Sequence, residues 1–93
     1  PTMPTTAFEV GNPPQVINGE KVHPSWGFCF YSFPINLSGA PAVNIPSGFD
    51  KQGLPIGLQL IAPWKQEKEL IKISHHLESV LDWPNQIPNK YQI

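Results

Sequence analysis

The sequence predicts a piece of an α/β or α+β sheet with helical cover, and not a complete domain. Three observations carry that reading. Two stretches alternate apolar and polar residues with a period of two on either side of a turn at residues 50–53, the signature of a hairpin. One stretch near the end repeats its apolar residues at helical spacing. The third is the charge content: the 93 residues are 40% apolar but only 14% charged, against roughly 25% for an ordinary soluble domain. A chain this short buries only roughly 60–65% of the surface it exposes when unfolded. So little charge on so much surface predicts that other protein covers part of it.

The elements follow in order. Twelve prolines each fix φ and withhold a backbone donor, which excludes long helices over most of the chain. Residues 1–8 read as extended, and Pro1-Thr2-Met3-Pro4-Thr5-Thr6 has no starting Met, which predicts a piece cut from a longer chain. Residues 9–24 read as a loop through the turn formers Gly11-Asn12-Pro13-Pro14 and Asn18-Gly19. Residues 26–37 hold Trp26, Phe28, Cys29, Phe30, Tyr31, Phe33, Ile35 and Leu37. They read as a short helix over about 27–38, interrupted at Pro34, closed at Ser38 and followed by Gly39. Its aromatics fall on all sides, which predicts burial on all sides.

A hairpin over about 42–61 comes next. Val43 and Ile45 alternate with Asn44 and Pro46; Leu54, Ile56, Leu58 and Leu60 alternate with Pro55, Gly57 and Gln59. Asp50-Lys51-Gln52-Gly53 suits a type I turn with a positive φ at the glycine. Pro46 and Pro55 should face away from a partner strand or mark a strand end, and Gly57 predicts a close neighbour. The clearest helix covers about 66–82, with Leu70, Ile73, Leu77, Val80 and Leu81 in one stripe and Glu67 and Glu69 at the positive end of its dipole. Trp83-Pro84 should stop it, and the polar residues 85–93 should be loosely held.

Composition excludes several functions. The net charge is −1, with six Lys and no Arg; a nucleic-acid surface needs a basic face and favours the guanidinium fork. No apolar run is long enough to span a bilayer, and no signal peptide opens the chain. A single cysteine, Cys29, cannot form an internal disulfide and fits a reducing, cytoplasmic setting.

The residues that could carry chemistry do not assemble by spacing. Glu9, Glu20, Asp50, Glu67, Glu69, Glu78 and Asp82 fall in loops, a turn and a polar helix face, which is where solvated carboxylates belong. His75 and His76 are adjacent, so on a helix they point about 100° apart and cannot clasp one metal. Cys29 could act as a thiol nucleophile with His23, His75 or His76, but its place between Phe28 and Phe30 reads rather as that of a buried apolar cysteine. None of Ser25, Ser32, Ser38, Ser47, Ser74 and Ser79 lies in a Gly-x-Ser-x-Gly elbow. Gly48, Gly53 and Gly57 precede no strand-to-helix junction that would cradle a phosphate. The segment therefore reads as lacking a self-sufficient active site, a metal site or a cofactor.

Two blocks carry a family resemblance. Phe33-Pro34-Ile35-Asn36-Leu37-Ser38-Gly39-Ala40-Pro41-Ala42-Val43-Asn44-Ile45-Pro46-Ser47-Gly48-Phe49 and Gly53-Leu54-Pro55-Ile56-Gly57-Leu58-Gln59-Leu60-Ile61 resemble the C-terminal pattern of the amidase signature family. Pro1-Thr2-Met3-Pro4-Thr5 resembles a Pro-Thr-rich stretch upstream of that pattern, and the acidic helix from Glu67 resembles the family's closing helix. The resemblance covers nearly the whole chain.

It implies an α/β fold built on a large mixed sheet with flanking helices, of which residues 1–93 would be a C-terminal segment. It also implies hydrolysis of amide bonds by a Ser nucleophile, a second Ser in a cis peptide and a Lys base, all far upstream; no catalytic residue falls here. Thr2, Met3, Cys29 and Ser32 are the positions the resemblance places along the substrate pocket. In the glutamine-using component of the tRNA-dependent amidotransferase, an acidic residue that grips the substrate ammonium stands where this chain has Cys29. The thiol points instead to an uncharged or apolar amide.

The leading expectation is a cytoplasmic amidase without cofactor. Its partners are the rest of the amidase domain, a small-molecule amide and, in a homo-oligomer, a second copy of itself; neither nucleic acid nor membrane is expected. The second expectation is the A subunit of a glutamyl-tRNA(Gln)/aspartyl-tRNA(Asn) amidotransferase. The third is a non-enzymatic, self-associating module. As a separate polypeptide the 93 residues should be inactive.

Overall fold

Two antiparallel ribbons and two helices make up the structure, a computed structural model that describes residues 1–82. In chain order they are β1 (Val16–Ile17), β2 (Glu20–Lys21), a single 3₁₀ turn (Gly27–Cys29), α1 (Phe33–Ser38), β3 (Ala42–Phe49), β4 (Pro55–Ile61) and α2 (Glu67–Leu81). This is a mixed α/β arrangement in which every strand pair is antiparallel and each sheet has two strands.

The β3–β4 hairpin organises the rest. Its register pairs Val43 with Leu60 and Ile45 with Leu58, and in the alternate phase Asn44 with Gln59 and Pro46 with Gly57. One face is therefore aliphatic and the other carries amides and a glycine. Pro55 opens β4, where a missing donor costs nothing. Pro46 lies inside β3, and the ladder slips there: the pairing jumps from Pro46 to Gly48, leaving a bulge at Ser47.

At the turn, Asp50 Oδ1 accepts the N–H groups of Gln52 (2.8 Å) and Leu54 (2.9 Å), and Gly53 takes φ 80°. Helix α2 packs on β3 and β4. Ile45 and Leu70, each 6% exposed, are the buried apolar side chains among the described residues. Two residues make a very small core.

Two expectations need correction. The helix expected over 27–38 is broken in two: a 3₁₀ turn ends at Cys29 and α1 begins at Phe33. Pro34 does not interrupt a helix but starts one, since it occupies the first turn, where its missing N–H would have no partner anyway. Gly39 closes α1 with φ 72° and donates its N–H to Asn36 O.

The loop expected over 9–24 contains the β1–β2 ribbon. Asn18 and Gly19 take φ 52° and 81°, the two positive values a type I′ turn requires and Asn-Gly supplies with little strain. The aromatic cluster, expected to need more cover than a small domain can give, is left open by these residues: Trp26 and Phe30 are each 60% exposed and Leu37 84%.

The α2 stripe is likewise only partly used. Leu70 is buried and Leu77 half-buried, but Ile73, Val80 and Leu81 remain exposed. A two-stranded ribbon is too narrow to cover the whole apolar face of a helix this long. The expected stop at Trp83-Pro84 and the polar residues 85–93 lie outside the described residues.

Candidate functional site

The four residues expected to line a substrate pocket fall in two places. Cys29 and Ser32 lie on consecutive tight turns. The Cys29 N–H donates to Trp26 O (3.1 Å), and its thiol bends back to the same carbonyl (Sγ···O 3.4 Å). Ser32 then donates both its N–H (3.1 Å) and its hydroxyl (3.0 Å) to Cys29 O. Residues 30–32 form a hinge between the 3₁₀ turn and α1, and the thiol is half-buried beside it.

Thr2 and Met3 lie across the amide-bearing face of the hairpin. The Thr2 N–H donates to Gly57 O (2.9 Å), and its hydroxyl donates to the side-chain oxygen of Asn44. The glycine is required there. A Cβ on residue 57 would run into the Asn44 amide oxygen and come within 3.0 Å of the Thr2 hydroxyl. Thr2 and Met3 line a depression of about 440 Å³ with Asn44, Ile56 and Gly57. Cys29 and Ser32 do not line it. Pro1 lines both this depression and a second one of about 420 Å³ with Phe30, Tyr31, Pro34 and Gln59.

Sequence reading missed a wide concavity and two tethers. An open groove of about 850 Å³ is walled by Val22, Trp26, Phe30, Phe33 and Leu37, with His23 the ionisable side chain among its lining. Edge-to-face contacts of Phe33 with Trp26 (centroids 6.2 Å apart) and with Phe30 (5.7 Å) hold its wall. Gly27 leaves room for Val22, whose side chain occupies the space a Cβ would need. The tethers are Gln59 Nε2 to Tyr31 O (3.0 Å) and Trp64 Nε1 to Ser38 O (2.9 Å). Gln59 shares its strand phase with Gly57, the one sequence signal that places its side chain away from Leu58 and Leu60.

The arrangement offers no assembled nucleophile among the described residues. The side chains of Cys29, Ser32, Ser38, Ser47, Ser74 and Ser79 each donate to a backbone carbonyl, which cannot serve as a base. His75 and His76 are exposed on α2, and the His23 ring accepts the Ser25 N–H at 3.1 Å. Among the described residues no three His, Cys, Asp or Glu side chains converge as metal ligands, and no helix is long and apolar enough to cross a membrane. The Leu54 N–H holds the Asp50 carboxyl below the usual aspartate range, helped by the Thr6 hydroxyl (2.8 Å) and the Gln52 and Gly53 N–H groups. Its role is structural, at the hairpin turn.

Comparison with known proteins bears on this geometry. The family model described as Amidase matches residues 1–71. Among curated proteins, the chain is similar to the A subunit of the glutamyl-tRNA(Gln) amidotransferase of Synechococcus sp. (strain RCC307). The two are 44% identical over 87 residues, covering 88% of this chain and 16% of the relative. The same component from Prochlorococcus marinus (strain MIT 9211) is 41% identical over 83 residues, with 84% and 15% covered. That of Thiobacillus denitrificans is 37% identical over 87 residues, with 89% and 16% covered. The chain thus spans about 16% of the length of the first of these relatives. No solved structure matches it.

Proposed function

Because this chain belongs to the amidase family, we propose that it is the C-terminal segment of a longer enzyme that breaks the C–N bond of a carboxylic amide. The bond-breaking groups of that enzyme, a Ser nucleophile with a second Ser and a Lys, would lie upstream. The segment would supply one wall of the substrate pocket through Thr2, Met3, Cys29 and Ser32.

The sequence alone favours a free-standing amidase over an amidotransferase component. The relatives reverse that order, since the three named above are all A subunits of glutamyl-tRNA(Gln) amidotransferases. The reading that the 44% identity over 88% of the chain supports best is therefore a component of that kind. It would take nitrogen from glutamine and work beside other subunits that bring glutamyl-tRNA(Gln). With net charge −1 and no Arg, this segment would not be the surface that meets the tRNA.

One observation favours a second reading, hydrolysis of an uncharged amide. A thiol stands at residue 29, and it bonds to a carbonyl of its own turn. It is not the carboxylate that would pair with an α-ammonium group.

One experiment separates the readings. The longer protein is assayed with glutamine and glutamyl-tRNA(Gln), with and without its partner subunits, and separately with a series of uncharged amides. The amidotransferase reading predicts tRNA-linked release of ammonia from glutamine. The hydrolase reading predicts turnover of uncharged amides without tRNA, lowered by about tenfold or more in kcat/KM by Cys29→Asp. Turnover of neither overturns both.

A further inference from the structure

We propose that Gln59 and Trp64 are positioning residues that set the pocket wall at Cys29 and Ser32 by clamping the two ends of α1 onto the hairpin. The inference rests on the reading that residues 29 and 32 face substrate, and it adds residues that never touch substrate.

α1 has six residues and is about 9 Å long. A helix that short has little stability of its own. As a helix, it shares no strand ladder with the sheet. The packing between its leading end and the hairpin is also loose: the depression of about 420 Å³ lined by Phe30, Tyr31, Pro34 and Gln59 lies there. Two directional bonds span the gap.

The Gln59 amide, projecting from β4, donates to Tyr31 O in the hinge that links Cys29 to Ser32 (3.0 Å). The Trp64 indole, three residues beyond β4, donates to Ser38 O (2.9 Å) at the last residue of α1. There the carbonyls have no partner within the helix. The indole also lies over Gly39, with its nearest atom 3.7 Å from where a Cβ would stand. One clamp fixes the hinge and the other the far end. Together they settle where the Cys29–Ser32 turn sits relative to Thr2, which the same strand holds through Gly57 O.

Misplacing a pocket wall by about 1 Å can cost up to 10²-fold in rate, and a wall that contacts only bound substrate is read in KM. The test uses the longer enzyme and whichever amide the wild type turns over. Gln59→Leu keeps the bulk and removes the donor. It should raise KM by about fivefold or more, leave kcat within about twofold, and speed amide hydrogen exchange at residues 30–36 by about tenfold. Gln59→Lys, which restores an N–H donor, should return KM to within about twofold of wild type.

An unchanged KM in Gln59→Leu, or a raised KM that Lys does not restore, overturns the proposal. If Gln59→Leu does not fold, Trp64→Phe replaces it: an aromatic ring stays, and the pyrrole part of the indole goes with its N–H. KM should again rise by about fivefold and exchange should quicken around Ser38; an unchanged KM overturns the proposal. If the wild type turns over no amide, the functional reading fails by itself. The exchange at residues 30–36 then decides the clamp, and exchange unchanged by Gln59→Leu overturns it.

Discussion

At Gly57 three segments meet: the strand that carries it, Asn44 across the ladder, and Thr2 from the start of the chain. That a close neighbour exists was legible from a glycine placed inside an alternating strand. That the neighbours are Thr2 and Asn44 was not, because Thr2 is far away in sequence and no local pattern links it to the hairpin. Cys29 divides the same way. Its aromatic neighbours announced an apolar setting, while the bond of its thiol to Trp26 O depends on a turn geometry that composition does not specify. Gly57→Ala should push the Thr2 and Asn44 side chains apart and destabilise the longer protein by about 1–3 kcal/mol. Urea unfolding of wild type and variant checks it; equal stability would mean that both side chains move aside freely.

Among the elements, β3, β4 and α2 were readable because each is long enough to show its period several times. β1 and β2, two residues each, are too short for any period; only Asn18-Gly19 marked them. The 27–38 segment misled because an aromatic-rich run has no polar face from which to read a phase. Pro34 fits a helix start as well as a helix break.

The β3–β4 hairpin carries a pH dependence through its turn. The Asp50 carboxylate accepts N–H groups from Leu54 and Gln52 and the Thr6 hydroxyl, so its folded pKa lies below its unfolded one. A lowered carboxylate pKa gives stability that is complete above the unfolded value of about 3.9 and is lost as pH falls through the folded value. Asp50→Asn keeps an acceptor oxygen but cannot titrate. The stability difference between wild type and Asp50→Asn should therefore be constant from pH 7 down to about pH 5 and shrink below about pH 4. Melting curves of the two proteins across that range test it. A difference that persists unchanged to pH 2 would mean the turn does not depend on the ionised form.

Taken whole, the chain has more surface than its mass calls for. It exposes 7394 Å², where a compact protein of 10.4 kDa exposes about 5,400 Å². Its radius of gyration is 15.1 Å against about 12 Å expected for this length. Large apolar side chains are part of it: Trp26, Phe30 and Leu37 along the groove, Trp64 past β4, and Ile71, Ile73 and Val80 on α2 stand exposed. The 14% charged fraction anticipated an uncovered surface of this kind; which faces would be bare depended on a topology the sequence pattern could not supply.

Surfaces of this extent associate in water. In the proposed longer protein, the rest of an amidase covers them and provides the bond-breaking groups. The most direct test compares the isolated 93 residues with the longer protein by gel filtration and amide turnover in the same buffer. The expected result is an active longer protein beside an isolated segment that elutes as oligomers and releases no ammonia from any amide. A segment that runs as a stable monomer and turns over an amide unaided would contradict it.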